Sequence, residues 1–182
     1  MKELSLNILD VAENSIRARA KNIMISLFCD EKGILTLKIE DDGCGMDEER
    51  LKRVNGPLNA TVTARKSGLG IPLLKLAASQ AGGYVNIQSE PGKGTRVIAS
   101  FDTKNAGFKP MGDMPSTVTA LIMGAPEVDF LFEHKTPSGE VKLDTKELRA
   151  VTGDLSLASA EVIMWIKDYL REQYDNLGGN SL

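Results

Sequence analysis

The stretch IEDDGCGMDE, residues 39–48, ends a run that alternates like a β-strand and then breaks into an aspartate pair and two glycines around one cysteine. Leu35, Leu37 and Ile39 alternate with Thr36, Lys38 and Glu40, the period of a strand with one buried face. A strand that ends in Asp41 and runs on through Gly43 and Gly45 lets the backbone turn sharply beside a ligand while one carboxylate points into the pocket. Taken alone, the same residues suit an ordinary acidic turn equally well.

Working outward, residues 23–28 (IMISLF) read as the strand that pairs with 34–40 across CDEKG, a hairpin with one buried face. Upstream, residues 4–20 carry Leu4, Ile8, Val11, Ala12 and Ser15, widened by Leu9 and Ile16, on one arc at helical period. Asp10, Asn14 and Arg17 fall on the opposite side. Downstream, Asp47 caps a short helix through Val54, its carboxylate accepting amide hydrogens of the first turn. Gly70 to Ala81 reads as a helix with Pro72 in its first turn and Gly82 just past its end. A second hairpin, YVNIQS and TRVIASF around EPGKG, follows. Near DTKNAGFKPMGDMPS the periodicity is lost, and a boundary is expected there, dividing the chain into residues 1–102 and an extension, 103–182, docked on them. Beyond it come a short helix (116–123), a hairpin (EVDFLFEHK with GEVKLD) and an amphipathic helix over 159–174.

With 182 residues, 42% hydrophobic content and 26% charged content, the chain can bury about two-thirds of its unfolded surface. A net charge of -3 gives no field to hold a nucleic-acid backbone, so no direct nucleic-acid partner is expected. No apolar run approaches the roughly 20 residues needed to cross a bilayer. Cys29 and Cys44 form no CxxC pair and the start, MKELSLNILD, does not read as a secretion signal; a soluble protein of the reducing cytoplasm is expected.

Three further segments carry chemistry. Asp10, Asn14 and Arg17, spaced i, i+4 and i+7, project from one side of a helix. A carboxylate, an amide oxygen and a guanidinium there suit a water, a Mg²⁺ and a phosphate, although a solvated polar face is the commoner meaning of such a set. KSGLGIPLL places Gly68 and Gly70 before a helix whose amide hydrogens and positive dipole end attract phosphate. EPGKGT can be a plain hairpin turn.

In this order and spacing, AENSIRARA, EDDGCGM, GLGIPLL and GKGT resemble the N-box and the three glycine boxes of the GHKL family, which includes gyrase-type topoisomerases, ninety-kilodalton chaperones, sensor histidine kinases and MutL-type repair proteins. The resemblance covers residues 1–102. It implies a Bergerat-type ATP-binding fold: an α/β (α+β) two-layer sandwich with helices on one face of a mixed β-sheet, here with a small C-terminal α/β extension, and ATP held beneath a lid over residues 55–67. By the same resemblance, Asn14 would coordinate Mg²⁺ bridging the phosphates and Arg17 would contact phosphate. Asp41 would accept a hydrogen bond from the adenine amino group while Gly43 and Gly45 keep the backbone clear. Met46 would pack on the base, and Thr95 would support Asp41 or a water. Gly68, Leu69 and Gly70 would turn backbone amides to the phosphates, and Arg65 and Lys66 are candidate phosphate cations. Asp42 is expected to be peripheral and Cys44 a small space-filler.

Two departures from the family pattern bear on turnover. Hydrolysing members carry Glu four residues before the N-box Asn as general base, and here that position is Asp10. No helical phosphoacceptor domain is recognisable, and the sole histidine, His134, is expected at a surface or strand edge rather than as a phosphoacceptor. The expectation is a bacterial regulator that binds ATP or ADP, hydrolyses ATP slowly and acts through a protein partner. A kinase acting in trans and an ATP-binding module without turnover are the alternatives.

Overall fold

A computed structural model describes residues 3–56 and 69–178. Within them the chain runs α1 (Leu4–Arg17), β1 (Asn22–Cys29), β2 (Ile34–Asp41), α2 (Glu48–Asn55), α3 (Gly70–Gln80), β3 (Val85–Glu90), β4 (Gly94–Asp102), α4 (Met114–Gly124), β5 (Asp129–Thr136), β6 (Gly139–Asp144), α5 (Thr145–Thr152) and α6 (Ala160–Asn176). The caps are those the local chemistry calls for. Asp47 accepts from the Arg50 amide at 2.7 Å, Asp113 from the Ser116 amide at 2.9 Å and Ser159 from the Val162 amide at 3.4 Å. Asp30 closes the first hairpin by accepting from the amides of Lys32 and Ile34.

The six strands form one mixed sheet in the order β3-β4-β2-β1-β5-β6. All neighbours are antiparallel except β1 and β5, which run parallel with Ile23 opposite Phe130 and Leu27 opposite His134. Helices α3, α1, α4 and α6 lie side by side over one face of the sheet. The core between the layers takes Ile25, Leu27, Leu35, Leu37, Val97, Phe101, Phe130 and Phe132 from the strands and Ile8, Leu74, Val118 and Ile166 from the helices. The architecture is an α+β two-layer sandwich, and a single hydrophobic core runs from the first hairpin through β5 and β6. Among the described residues no helix is long and apolar enough to cross a membrane.

Three local expectations change. The first helix stops at Arg17 rather than at residue 20, because Arg19 takes a positive φ of 59° and turns the chain into β1. Helix α5 is additional: Asp144 caps it and Gly153, at φ 59°, ends it, but eight residues are too few to show a helical period. His134 is buried, not at a surface or edge. It shares the inward face of β5 with Phe130 and Phe132, and its Nδ1 lies 2.9 Å from the Tyr174 hydroxyl of α6.

Burial pulls the His134 pKa from its ordinary 6.5 down to about 4. The unfolded chain therefore takes up a proton that the folded one refuses between those two values. Stability should be complete above about pH 6.5 and fall by up to about 3 kcal/mol as the pH drops to about 4. Urea midpoints measured over that range should lose this slope in His134→Gln, and an unaltered slope would place the acid sensitivity elsewhere.

Candidate functional site

Asp41 is the last residue of β2 and lies on the same face of the strand as Leu37 and Ile39, beneath α1. Its two oxygens are held from two directions. Ser15 Oγ of α1 donates to Oδ2 at 2.5 Å, and the Gly43 amide donates to Oδ1 at 2.9 Å. Each carboxylate oxygen keeps a further lone pair for a donor from the cavity above. Thr95 of β4 is the cross-strand partner of Asp41, and its hydroxyl lies 2.9 Å from Ser89 Oγ. Ser89 also donates to the Gly94 carbonyl and accepts from the Met46 amide, so one hydroxyl ties the loop after β2 to the second hairpin.

The glycines are required by approach. A Cβ on Gly45, at φ +67°, would stand 2.0 Å from the Glu90 carbonyl oxygen, and one on Gly94, at φ +104°, 1.9 Å from that of Asp41. Gly43 packs on Ala18, where a Cβ would meet the Ala18 Cβ and oxygen at 2.8 Å.

A cavity of about 660 Å³ opens above Asp41. Its floor is Asp41, Ser15, Thr95 and Val97, with Gly45 and Met46 on one side and Val11, Asn14, Arg17 and Ala18 of α1 on another. Helix α2 contributes Arg50, Arg53 and Val54, and Ile71 and Pro72 come from the start of α3. The structure thus brings Asn14, Arg17, Asp41, Gly45, Met46 and Thr95 around one space. Asp10 stands just outside that lining, packed on the start of α3, where a Cβ on Gly70 would be 3.0 Å from the Asp10 Cβ. Leu69 and Gly70 begin α3. Arg65, Lys66 and Gly68, with most of the expected lid, lie outside the described residues.

Several contributors carry no sequence signal. Ser15 belongs to the apolar arc of α1 by period, yet its hydroxyl fixes Asp41. Arg50 and Arg53 read as surface charges of a short helix; the only signal available is their i, i+3 spacing on one side of it. Lys75 of α3 donates to the carbonyls of Val54 and Gly56, tying the end of α2 to α3, and burial lowers its pKa below the usual lysine value. Asp42 turns away from the cavity and accepts from the amides of Lys21 and Asn22 and from the Asn22 side chain. Partial burial acts to raise its pKa, but these hydrogen bonds, Asn22 foremost, hold it below the usual carboxylate range.

A family profile described as histidine kinase-, DNA gyrase B- and HSP90-like ATPase matches residues 2–105. Sensor histidine kinase YxdK of Bacillus subtilis is 31% identical over 110 residues, which cover 57% of this chain and 34% of that protein. Signal transduction histidine-protein kinase AtoS of Escherichia coli is 34% identical over 94 residues, 52% of this chain and 15% of that protein. The chain therefore spans about a third of the length of the first of these relatives and less of the second. Among solved structures, the N-terminal domain of a DNA repair protein superposes with a TM-score of 0.50 at 16% identity, covering 85% of this chain and 58% of that one, a likeness of fold. The profile takes in α1, the β1–β2 and β3–β4 hairpins and every described residue lining the cavity, more than half of the 182 residues, and so the chain belongs to the histidine kinase-, DNA gyrase B- and HSP90-like ATPase family.

Proposed function

We propose that the protein binds Mg-ATP in the cavity above Asp41, hydrolyses it slowly and acts as a nucleotide-gated regulator on a protein partner. The observation that carries this reading is the meeting, in one cavity, of a carboxylate fixed by Ser15 and Gly43 with three arginines, Arg17, Arg50 and Arg53, two of which, Arg17 and Arg53, pair with exposed Glu13 and Glu49 of their own helices and can exchange them for phosphate. A base needs an oriented acceptor, and a triphosphate needs cations. Asp41 would accept from the adenine amino group, with Thr95 and Ser89 holding β4 against it. Met46 would lie on the ring, and Leu69 and Gly70 would turn amides to the phosphates at the head of α3.

Among the described residues no three His, Cys, Asp or Glu side chains gather to hold a metal. Asn14, which lines the cavity, fits Mg²⁺ in the way this ion is commonly held beside a nucleotide, by one or two protein oxygens together with phosphate oxygens and water. When bound, Mg²⁺ supplies neutralisation of the phosphate charge. Residues 1–102 would carry the nucleotide and residues 103–182, joined to them where β5 pairs with β1, would present the surface a partner reads.

Turnover rests on Asp10. Its carboxylate is one methylene shorter than a glutamate base, and a displacement near 1 Å costs about a hundredfold when geometry sets the barrier. Against a typical enzyme turnover of about 10 s⁻¹, hydrolysis should run at or below about 0.1 s⁻¹. Steady-state phosphate release tests this: Asp10→Asn should abolish hydrolysis with ATP affinity within a few-fold of wild type, and Asp10→Glu should raise it. Equal rates in all three proteins would remove Asp10 as the base. They would favour the second reading, phosphotransfer in trans, which the match to sensor histidine kinases supports and in which buried His134 is no acceptor. Labelled ATP incubated with a lysate then separates the two, because only a kinase leaves a second labelled band.

A further inference from the structure

β6 closes the sheet on the side away from the cavity, and among the described strands only β5 pairs with it. An edge strand presents amides and carbonyls that template another strand, and here the Lys142 carbonyl, which already accepts from Tyr169, keeps a second lone pair for a partner strand. Here the sequence is Gly139, Glu140, Val141, Lys142, Leu143, Asp144: Val141 and Leu143 point into the core, and Glu140 and Lys142 stand exposed on the opposite face. Two copies of this strand set antiparallel about Val141 place Glu140 of each opposite Lys142 of the other. One two-fold axis therefore creates two opposite-charge cross-strand pairs. Centring the axis on Glu140 or Lys142 sets like charges face to face, and centring it on Leu143 runs into α5, which begins at Thr145. Within its own chain Glu140 meets only an exposed Lys135 at 3.6 Å, a contact worth little, and Lys142 has no ion pair among the described residues.

The helix layer supplies the flank. α6 runs back along β6: its Tyr169 hydroxyl donates to the Lys142 carbonyl at 3.2 Å, and Leu177 at its end meets Gly139. Trp165 stacks on Tyr169 with ring centroids 5.2 Å apart and planes 10° from parallel. Yet Trp165 is 52% exposed, a large apolar side chain beside the sheet edge.

We propose that β6 pairs antiparallel with β6 of a second copy of this chain, making a two-fold dimer with one continuous sheet whose seam is flanked on the helix side by Trp165 of both copies. The cavity lies toward the other edge, between α1, α2, β2 and β4, and remains open in such a dimer.

Sedimentation equilibrium of the full chain tests this, with Trp165, the only tryptophan, giving a fluorescence shift on dilution through the same transition. Wild type should form a reversible dimer. Glu140→Lys and Lys142→Glu, each replacing two attractive pairs by two repulsive ones, should each weaken it about thirtyfold. Mixing the two single variants in equal amounts, or combining both changes in one chain, should restore the dimer, and neither a misfolded chain nor an unrelated interface would be rescued in that way. A wild type monomeric at about 0.2 mM, weaker than specific interfaces of ordinary size, would overturn the proposal. So would single variants that dimerise as tightly as wild type, or a mixture that does not recover.

Discussion

Asp41→Asn is expected to weaken ATP binding about 10- to 150-fold in titration calorimetry, the equivalent of about 1.5–3 kcal/mol for a hydrogen bond to a charged group. The substitution preserves size and keeps one acceptor oxygen. The carboxylate, however, now accepts from Ser15 Oγ and from the Gly43 amide at once. An amide can satisfy only one of those donors, and its NH₂ must face either the other donor or the cavity. The loss therefore combines a missing acceptor for the base with a disturbed support. Ser15→Ala separates the two: it removes the support and leaves the charge, and it should cost only a few-fold in affinity. Guanine presents an oxygen where adenine presents an amino group, so wild type should bind ATP and ADP and discriminate against GTP. Equal affinity for GTP, together with an unchanged affinity in Asp41→Asn, would remove the adenine assignment.

The largest effect on stability should come from Gly94→Ala. At φ +104° the backbone is in a region that side chains rarely adopt, and the new Cβ would lie 1.9 Å from the Asp41 carbonyl oxygen, which is backbone and cannot swing aside. Strain and overpacking each cost about 1–3 kcal/mol, so a total near 3–5 kcal/mol is expected in urea denaturation. Gly92→Ala is the control within the same turn. Gly92 has φ +76°, but nothing stands within 4 Å of its Cβ position, so only conformational strain of about 1–2 kcal/mol remains. Equal losses in both variants would mean that close approach between the two hairpins, β1–β2 and β3–β4, is not what Gly94 provides.

Much of this architecture is written locally. Strand alternation at residues 35–40 and 95–101, the caps Asp47 and Asp113, and Pro72 and Gly82 at the ends of α3 each depend on neighbours within a few residues, so periodicity and turn chemistry report them. The separation of the Asn14 helix from the Asp41 turn and the GKGT hairpin carried the family likeness for the same reason. Tertiary structure alone decided what each buried face meets. Period 2 marks Phe130, Phe132 and His134 as one face of a strand, but that β5 runs parallel to β1, and that α6 closes over His134, depends on contacts between residues far apart in the chain. The same holds within the cavity: Ser15 looks like filler in a helical arc, Lys75 like a solvated charge, and Arg50 and Arg53 like the outer face of a short helix. Only the docking of α1 on the sheet, of α2 on β3 and of α3 on α1 puts Ser15 on Asp41, Arg50 and Arg53 in the cavity lining and Lys75 on the end of α2. A sequence pattern records which side of an element is apolar; the partner on that side is set by packing, where burial of the whole surface at once selects one arrangement.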